Sequence, residues 1–297
     1  MLEGLYDTIA AFGVYGVDVF FVISGFVIPL ALRKSKFTYQ KVASFWISRF
    51  ARLYPSYFFA SLVGLVFWYA STLLPGFRGA PLPPVTTEKI LSNLGLFCDL
   101  AGEQWFLGVA WTLAIEAQYY VLIALVFPFL TCGKNFLKMS ALVLWISMPL
   151  LFSNIYLVFY WTAIFGMGLL VMLYQQKIIG SRMLAVLLFS CFAIQSVTRS
   201  GGSAFFGLAT ALFILLVPPL RLPGLIWLGG ISYSLYLLHQ PFGGRVMNCF
   251  ERFPGSPLAL LISVPLAIAV SVLAAYVFFR VVELPSHSLS RLLRDKL

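Results

Sequence analysis

The chain has 297 residues, of which 61% are hydrophobic, 17% aromatic and only 10% charged, and its mean hydropathy is +0.95. That composition excludes a water-soluble globular domain, because the apolar runs reach the roughly 20 residues a helix needs to cross a bilayer. The formal net charge of +10 collects in the loops between those runs, where it acts as a topology signal and calls for no nucleic-acid partner.

Apolar runs fall near residues 9–32, 54–75, 105–130, 139–153, 156–174, 183–199, 203–220, 225–243 and 257–280. The expected fold is therefore an all-α integral membrane bundle of about nine transmembrane helices, in a single domain over residues 1–297. No linker, repeat or low-complexity stretch divides it. The fourth, sixth and seventh runs are short, so their ends are soft and two of them are compatible with tilted, re-entrant or merged segments.

Lys and Arg stay on the cytoplasmic side of short loops. With the N-terminus outside, fifteen of the 20 basic residues fall inside, Arg33, Lys34, Lys36, Lys41, Arg49 and Arg52 among them, and only Arg78, Lys89, Arg199, Arg245 and Arg252 fall outside. The C-terminus is then cytoplasmic. An odd span count with an outer N-terminus is unusual without a cleavable signal, and Glu3 and Asp7 stand where a basic leader would begin. One further helix before Met1 would make ten spans with both ends inside.

The first span reads Gly13-Val-Tyr-Gly-Val-Asp18-Val-Phe-Phe-Val-Ile-Ser24-Gly25-Phe26. Gly13, Gly16, Ser24 and Gly25 are small enough to admit a neighbouring helix, and Asp18 is a carboxylate inside an apolar run. Such a group costs roughly 2.5 to 3.5 kcal/mol to insert, so it is kept for a partner or for chemistry.

At the approach to the second span, Arg49 and Arg52 are three residues apart and share a helix face suited to a phosphate or carboxylate, followed by Tyr54 and Pro55. Ordinary positive-inside anchoring explains the same residues. Residues 76–104 form the longest non-spanning piece: a Pro-rich stretch at 79–84, then Thr86-Thr-Glu-Lys-Ile90, read as an extended entry and a short amphipathic helix on the membrane face.

In the third span, Thr112, Glu116 and Tyr120 recur every four residues and make one helix face polar. Counted from the outer ends at 1.5 Å per residue, Asp18 and Glu116 both fall roughly 13 to 17 Å deep and are candidates to share a cavity. The eighth span carries Ser232, Tyr233, Ser234, Tyr236, His239, Gln240 and Pro241. The serines read as packing residues. His239 falls at a helix end, where capping or an interfacial hydrogen bond is the simplest account. His287 reads as a solvated residue of the tail. Cys98, Cys132, Cys191 and Cys249 lack metal-ligand spacing, and an outer disulfide between Cys98 and Cys249 is conceivable.

Taken together, Gly16 to Phe26, Arg49 to Pro55, Trp111 to Tyr120 and Ser232 to Pro241, with Val282-Glu-Leu-Pro285 near the end, resemble the acyltransferase 3 family in the correct order. Its members are multi-span O-acyltransferases that use acyl-CoA to modify surface saccharides. The resemblance implies acyl-CoA, most simply acetyl-CoA, as co-substrate from the cytoplasm, held by Arg49, Arg52 and Tyr54. A saccharide or lipid-linked acceptor would enter from the outer side of a plasma membrane, the inner membrane of a bacterium. Asp18, Glu116 and His239 become the candidate catalytic residues, with a carboxylate orienting and stabilising the base. The family pattern has ten helices, and its first carries an Arg-Gly and a His taken as the general base. Residues 1–12 hold no His. A scaffold that has lost its base is therefore an alternative, and a transporter or flippase a second, although no internal repeat supports the latter.

Overall fold

A computed structural model describes residues 12–73, 84–132, 134–250 and 257–295. Among these, every regular element is helical. In chain order they are α1 (Gly16–Lys34), α2 (Val42–Thr72), α3 (Thr87–Gly95), α4 (Cys98–Ala101), α5 (Ala110–Cys132), α6 (Asn135–Leu151), α7 (Thr162–Gln175), α8 (Ser181–Thr198) and α9 (Gly201–Leu216). There follow α10 (Pro223–Gly230), α11 (Ser232–Leu238), α12 (Gly244–Phe250), α13 (Pro257–Phe278) and α14 (Leu284–Asp295). Short 3₁₀ turns precede α2 and α7, and single π-helical turns, His239–Gly243 and Phe279–Glu283, join α11 to α12 and α13 to α14.

Among the described residues, six helical runs are long and apolar enough to cross a membrane: Gly16–Lys34, Tyr39–Thr72, Ala110–Thr131, Val158–Gln175, Ser181–Thr198 and Leu261–Ser288. They match six of the nine runs expected from sequence. The fourth and seventh appear as the shorter apolar helices α6 and α9. The eighth, 225–243, is not one helix. It breaks after Gly229-Gly230 at Ile231 and bulges into a π turn at His239-Gln-Pro241, because two glycines and a proline each weaken the regular ladder there. In the first run a turn at Val14-Tyr15 precedes the helix Gly16–Lys34, so Asp18 lies in the first turn of α1; residues 9–11 of the expected span lie outside the described residues.

The chain divides into two compact units, each made of two stretches of sequence: residues 1–42 with 115–220, and residues 43–114 with 221–297. In the first unit α7 is the central helix, buried at every residue from Thr162 to Leu173. It packs on α1 where glycine meets glycine. A side chain on Gly25 would strike the Phe165 carbonyl, and one on Gly168 would strike the carbonyl of Val22. That bears out the small-residue reading of Ser24 and Gly25, whereas Gly13 and Gly16 face open space. Phe21, Trp161, Phe165 and Tyr119 fill the same core, with Tyr119 stacked on Phe165 at 4.1 Å.

In the second unit, Tyr57, Ala60, Leu107, Ala110, Leu113, Leu237, Leu238 and Phe278 form the core. The short helix expected near Thr86 exists as α3, capped by the Thr86 hydroxyl, which accepts the Lys89 N–H at 3.1 Å. It is anchored by its polar residues, with Ile90, Leu91 and Leu94 exposed. Lys89, Ser92 and Asn93 are buried, and the hydroxyls of Tyr54 and Tyr57 donate to the carbonyls of Leu94 and Asn93 at 2.7 and 2.8 Å. Asn93 completes the tie through its side chain, which donates to the carbonyls of Lys89 and Gln104 and accepts the N–H of Phe106. The Pro-rich stretch up to residue 83 lies outside the described residues.

Candidate functional site

Both carboxylates singled out by sequence lie in the first unit, and each has its own partner. Asp18 is fully buried. Arg199, which follows α8, reaches it with Nε 3.6 Å from Oδ1, and the same guanidinium stands 4.3 Å from the centroid of the Trp161 ring. An aromatic face and a carboxylate together offset the cost of bringing that cation out of water. Asp18 also stands at the N-terminal turn of α1, where the helix dipole favours negative charge.

Glu116 is 7% exposed and accepts a hydrogen bond at 3.2 Å from the hydroxyl of Ser24, two turns along α1 from Asp18. Six residues of helix separate Ser24 from Asp18, roughly 9 Å of rise. The carboxylates thus touch opposite ends of one helical stretch and are not paired with each other. Gln118 serves structure: its amide donates to the Tyr156 carbonyl and accepts the Val158 N–H, fixing the approach to α7.

The remaining candidates lie in the second unit. Arg49 is half-buried with its guanidinium 5.6 Å from the Phe45 ring, and Arg52 is exposed. The hydroxyl proton of Tyr54 is committed to Leu94, so this residue offers a positioned ring more than a donor. His239 opens the π turn and is exposed, with Nδ1 2.7 Å from the Tyr236 carbonyl. When Nδ1 carries the proton, the other nitrogen is a lone-pair acceptor. The Tyr236 hydroxyl lies 2.5 Å from Thr112 Oγ1, and the Gln240 amide packs on Gly108, a position where any side chain would collide with it.

Ser234 is buried and Ser232 exposed. Ser232 donates to the Gly229 carbonyl, and Ser234 donates to buried Glu283 at 2.5 Å. Glu283, the acid of the Glu-Leu-Pro stretch, also stands 3.4 Å from His287 Nε2, so His287 is held against a carboxylate and is not a solvated tail residue. Cys98 is a buried free thiol and Cys249 an exposed one, and they form no disulfide. Burial pushes the Cys98 thiol up, as do Asp99 and Glu103 nearby, against a lowering hydrogen bond with Ser92.

Sequence reasoning missed Arg199, Glu283 and Asn93 as partners. Arg199 was counted only as an outer-loop charge. Its one local signal is a cation directly after an apolar run, beside Ser200-Gly-Gly.

A family model described as an acyltransferase domain matches residues 2–277. The chain belongs to the acyltransferase 3 family. Among relatives, the O-acetyltransferase OatA of Staphylococcus aureus (strain NCTC 8325 / PS 47) is 34% identical over 126 residues, 40% of this chain and 21% of that protein. The peptidoglycan O-acetyltransferase OatA of Listeria monocytogenes serovar 1/2a is 32% identical over 132 residues, 41% of this chain and 21% of the relative. The chain thus spans about a fifth of the length of these curated relatives. No solved structure matches this acyltransferase 3 chain.

Proposed function

We propose that the protein is an integral membrane O-acetyltransferase, moving an acetyl group from acetyl-CoA on the cytoplasmic face to a hydroxyl of an extracytoplasmic saccharide. The observation that carries this reading is the acyltransferase match over nearly the whole chain. The relatives' printed activity on peptidoglycan makes a cell-wall glycan the first acceptor to try. The topology that goes with it is a plasma-membrane bundle of about nine spans with the C-terminus inside.

The chemistry needs a base for the acceptor hydroxyl, stabilisation of the tetrahedral oxyanion and a hold on the donor phosphates. The alkoxide adds to the thioester carbonyl, the C–S bond breaks, and the CoA thiolate leaves and takes up a proton. In this scheme His239 accepts the hydroxyl proton through the nitrogen not turned to Tyr236, and Arg49 and Arg52 hold phosphate. Within the first unit, Glu116 of α5 holds Ser24 of α1, and Asp18 with Arg199 fixes the N-terminal turn of α1.

The test is transfer of radiolabelled acetyl from acetyl-CoA to glycan fragments in membranes holding the chain. Glu116→Gln and His239→Gln are each expected to lower the rate by roughly a hundredfold or more, with inserted protein unchanged. Wild-type rates in both variants would make the two residues structural. Absence of transfer by the unaltered chain, under conditions where a relative transfers, would remove the reading itself.

A further inference from the structure

Lys89 of α3 is only 3% exposed, yet among the described residues no carboxylate reaches its ammonium. Asp99 instead accepts the indole N–H of Trp105 at 3.0 Å, Glu283 answers to Ser234 and His287, and Glu88, its neighbour in sequence, is exposed. Residues 73–86, which lead into α3, hold no Asp or Glu at all. A lysine buried to this degree is ordinarily paired.

What surrounds the ammonium is aromatic. Its Nζ stands 6.0 Å from the centroid of the Trp68 ring, on α2, and 5.9 Å from that of Phe106. Those distances are the outer limit of cation–π attraction, so the rings offset only part of what the ammonium loses on leaving water. Both rings are half-buried, and part of each stays open. The cage is fixed from two sides. Asn93, one turn along α3, donates to the Lys89 carbonyl and accepts the Phe106 N–H, while the Phe106 carbonyl would meet a side chain on Gly64, one turn before Trp68, at 3.0 Å. Two residues after Phe106, at most about 7 Å of chain, Gly108 packs on the amide of Gln240, the neighbour of His239. The caged cation and the proposed base therefore lie on one connected stretch of the second unit.

We propose that Lys89, between Trp68 and Phe106, is the subsite for a carboxylate on the saccharide acceptor. The proposal rests on the acceptor being a saccharide. The ammonium supplies the counter-charge, and the aromatic rings offer apolar faces to the C–H side of a sugar ring. One fixed positive charge matches the single charge of a carboxylate, whereas a phosphate monoester brings about two. The set thus favours an acidic sugar over a neutral one.

Membranes holding the full chain would be assayed for transfer of radiolabelled acetyl to two sets of glycan fragments, one with free carboxylates and one with the same carboxylates converted to primary amides. The unaltered chain is expected to show a KM about tenfold lower for the acidic set, a comparison that needs no variant. Lys89→Gln should bring the two KM values together, and Lys89→Arg, which keeps the charge, should restore most of the difference. Equal KM values in the unaltered chain overturn the carboxylate subsite and leave acetyl transfer standing. A preference undiminished in Lys89→Gln overturns its placement at Lys89. Loss of both acceptors alike in Lys89→Gln, with less inserted protein, makes the lysine structural and overturns the proposal. No transfer to either set by the unaltered chain, where a relative transfers, overturns the function and the subsite together.

Discussion

Asp18 and Arg199 show how a charged side chain is kept in an apolar unit. The carboxylate is fully buried and the guanidinium 19% exposed, so removal of either leaves the other without its counter-charge. Arg199→Ala is expected to destabilise the protein by about 3 to 5 kcal/mol, the usual result of orphaning a buried charge, whereas Asp18→Asn/Arg199→Gln should recover much of that loss. Thermal unfolding in detergent, followed by the fraction remaining monodisperse, would check both. Equal damage in the single and double variants would mean the pair does not couple. That Asp18 and Glu116 are special is readable from sequence, since each is an acid in an apolar run. Which partner each takes is not, because Ser24 and Glu116 are 92 positions apart, and neither periodicity nor propensity reports such a pairing.

Helices were legible wherever an apolar run was long and uninterrupted. Their interruptions were harder. Tyr15 keeps near-helical backbone angles yet caps α1, and Ile231 breaks the eighth run without being a breaker by type, so neither interruption is visible when apolar residues are counted. The π turns at His239 and Glu283 are likewise invisible to a 3.6-residue period, yet they aim the two motif residues. The α1–α7 contact was half visible: Ser24 and Gly25 announced a close approach, but Gly168 had to be found in space. Gly168→Val would drive a branched side chain into backbone at Val22, and overpacking of this kind costs typically about 1 to 3 kcal/mol. The variant is expected to lower the amount of folded protein in membranes, measured by detergent-resistant yield. Gly13→Val, which meets open space, should leave that yield unchanged.

For the molecule as a whole, large apolar side chains stand exposed along the apolar helices, Phe189 at 71%, Phe205 at 61% and Leu273 at 65% among them. Surfaces of that kind need lipid around them. The thiols offer a check on topology and burial together. Cys249 is exposed and Cys98 buried with its pKa raised, and a raised pKa means less thiolate at neutral pH and slower alkylation. A membrane-impermeant maleimide added to intact cells near pH 7 is therefore expected to label Cys249, which the proposed topology puts outside, and to spare Cys98 until the protein is denatured. Labelling of Cys249 only after the membrane is opened would reverse the orientation.

Composition and apolar run length were enough to establish that the chain lives in a bilayer as helices, and the order of short motifs was enough to point to its family, because these properties are carried by neighbouring residues. Folding alone decided that Asp18 answers to Arg199, that Glu116 answers to Ser24, and that Ser290 finds Ser48 across 242 positions of sequence. Those choices follow from which helix turns come to lie side by side once the glycine contacts and π turns have set the packing, and local sequence holds no record of that.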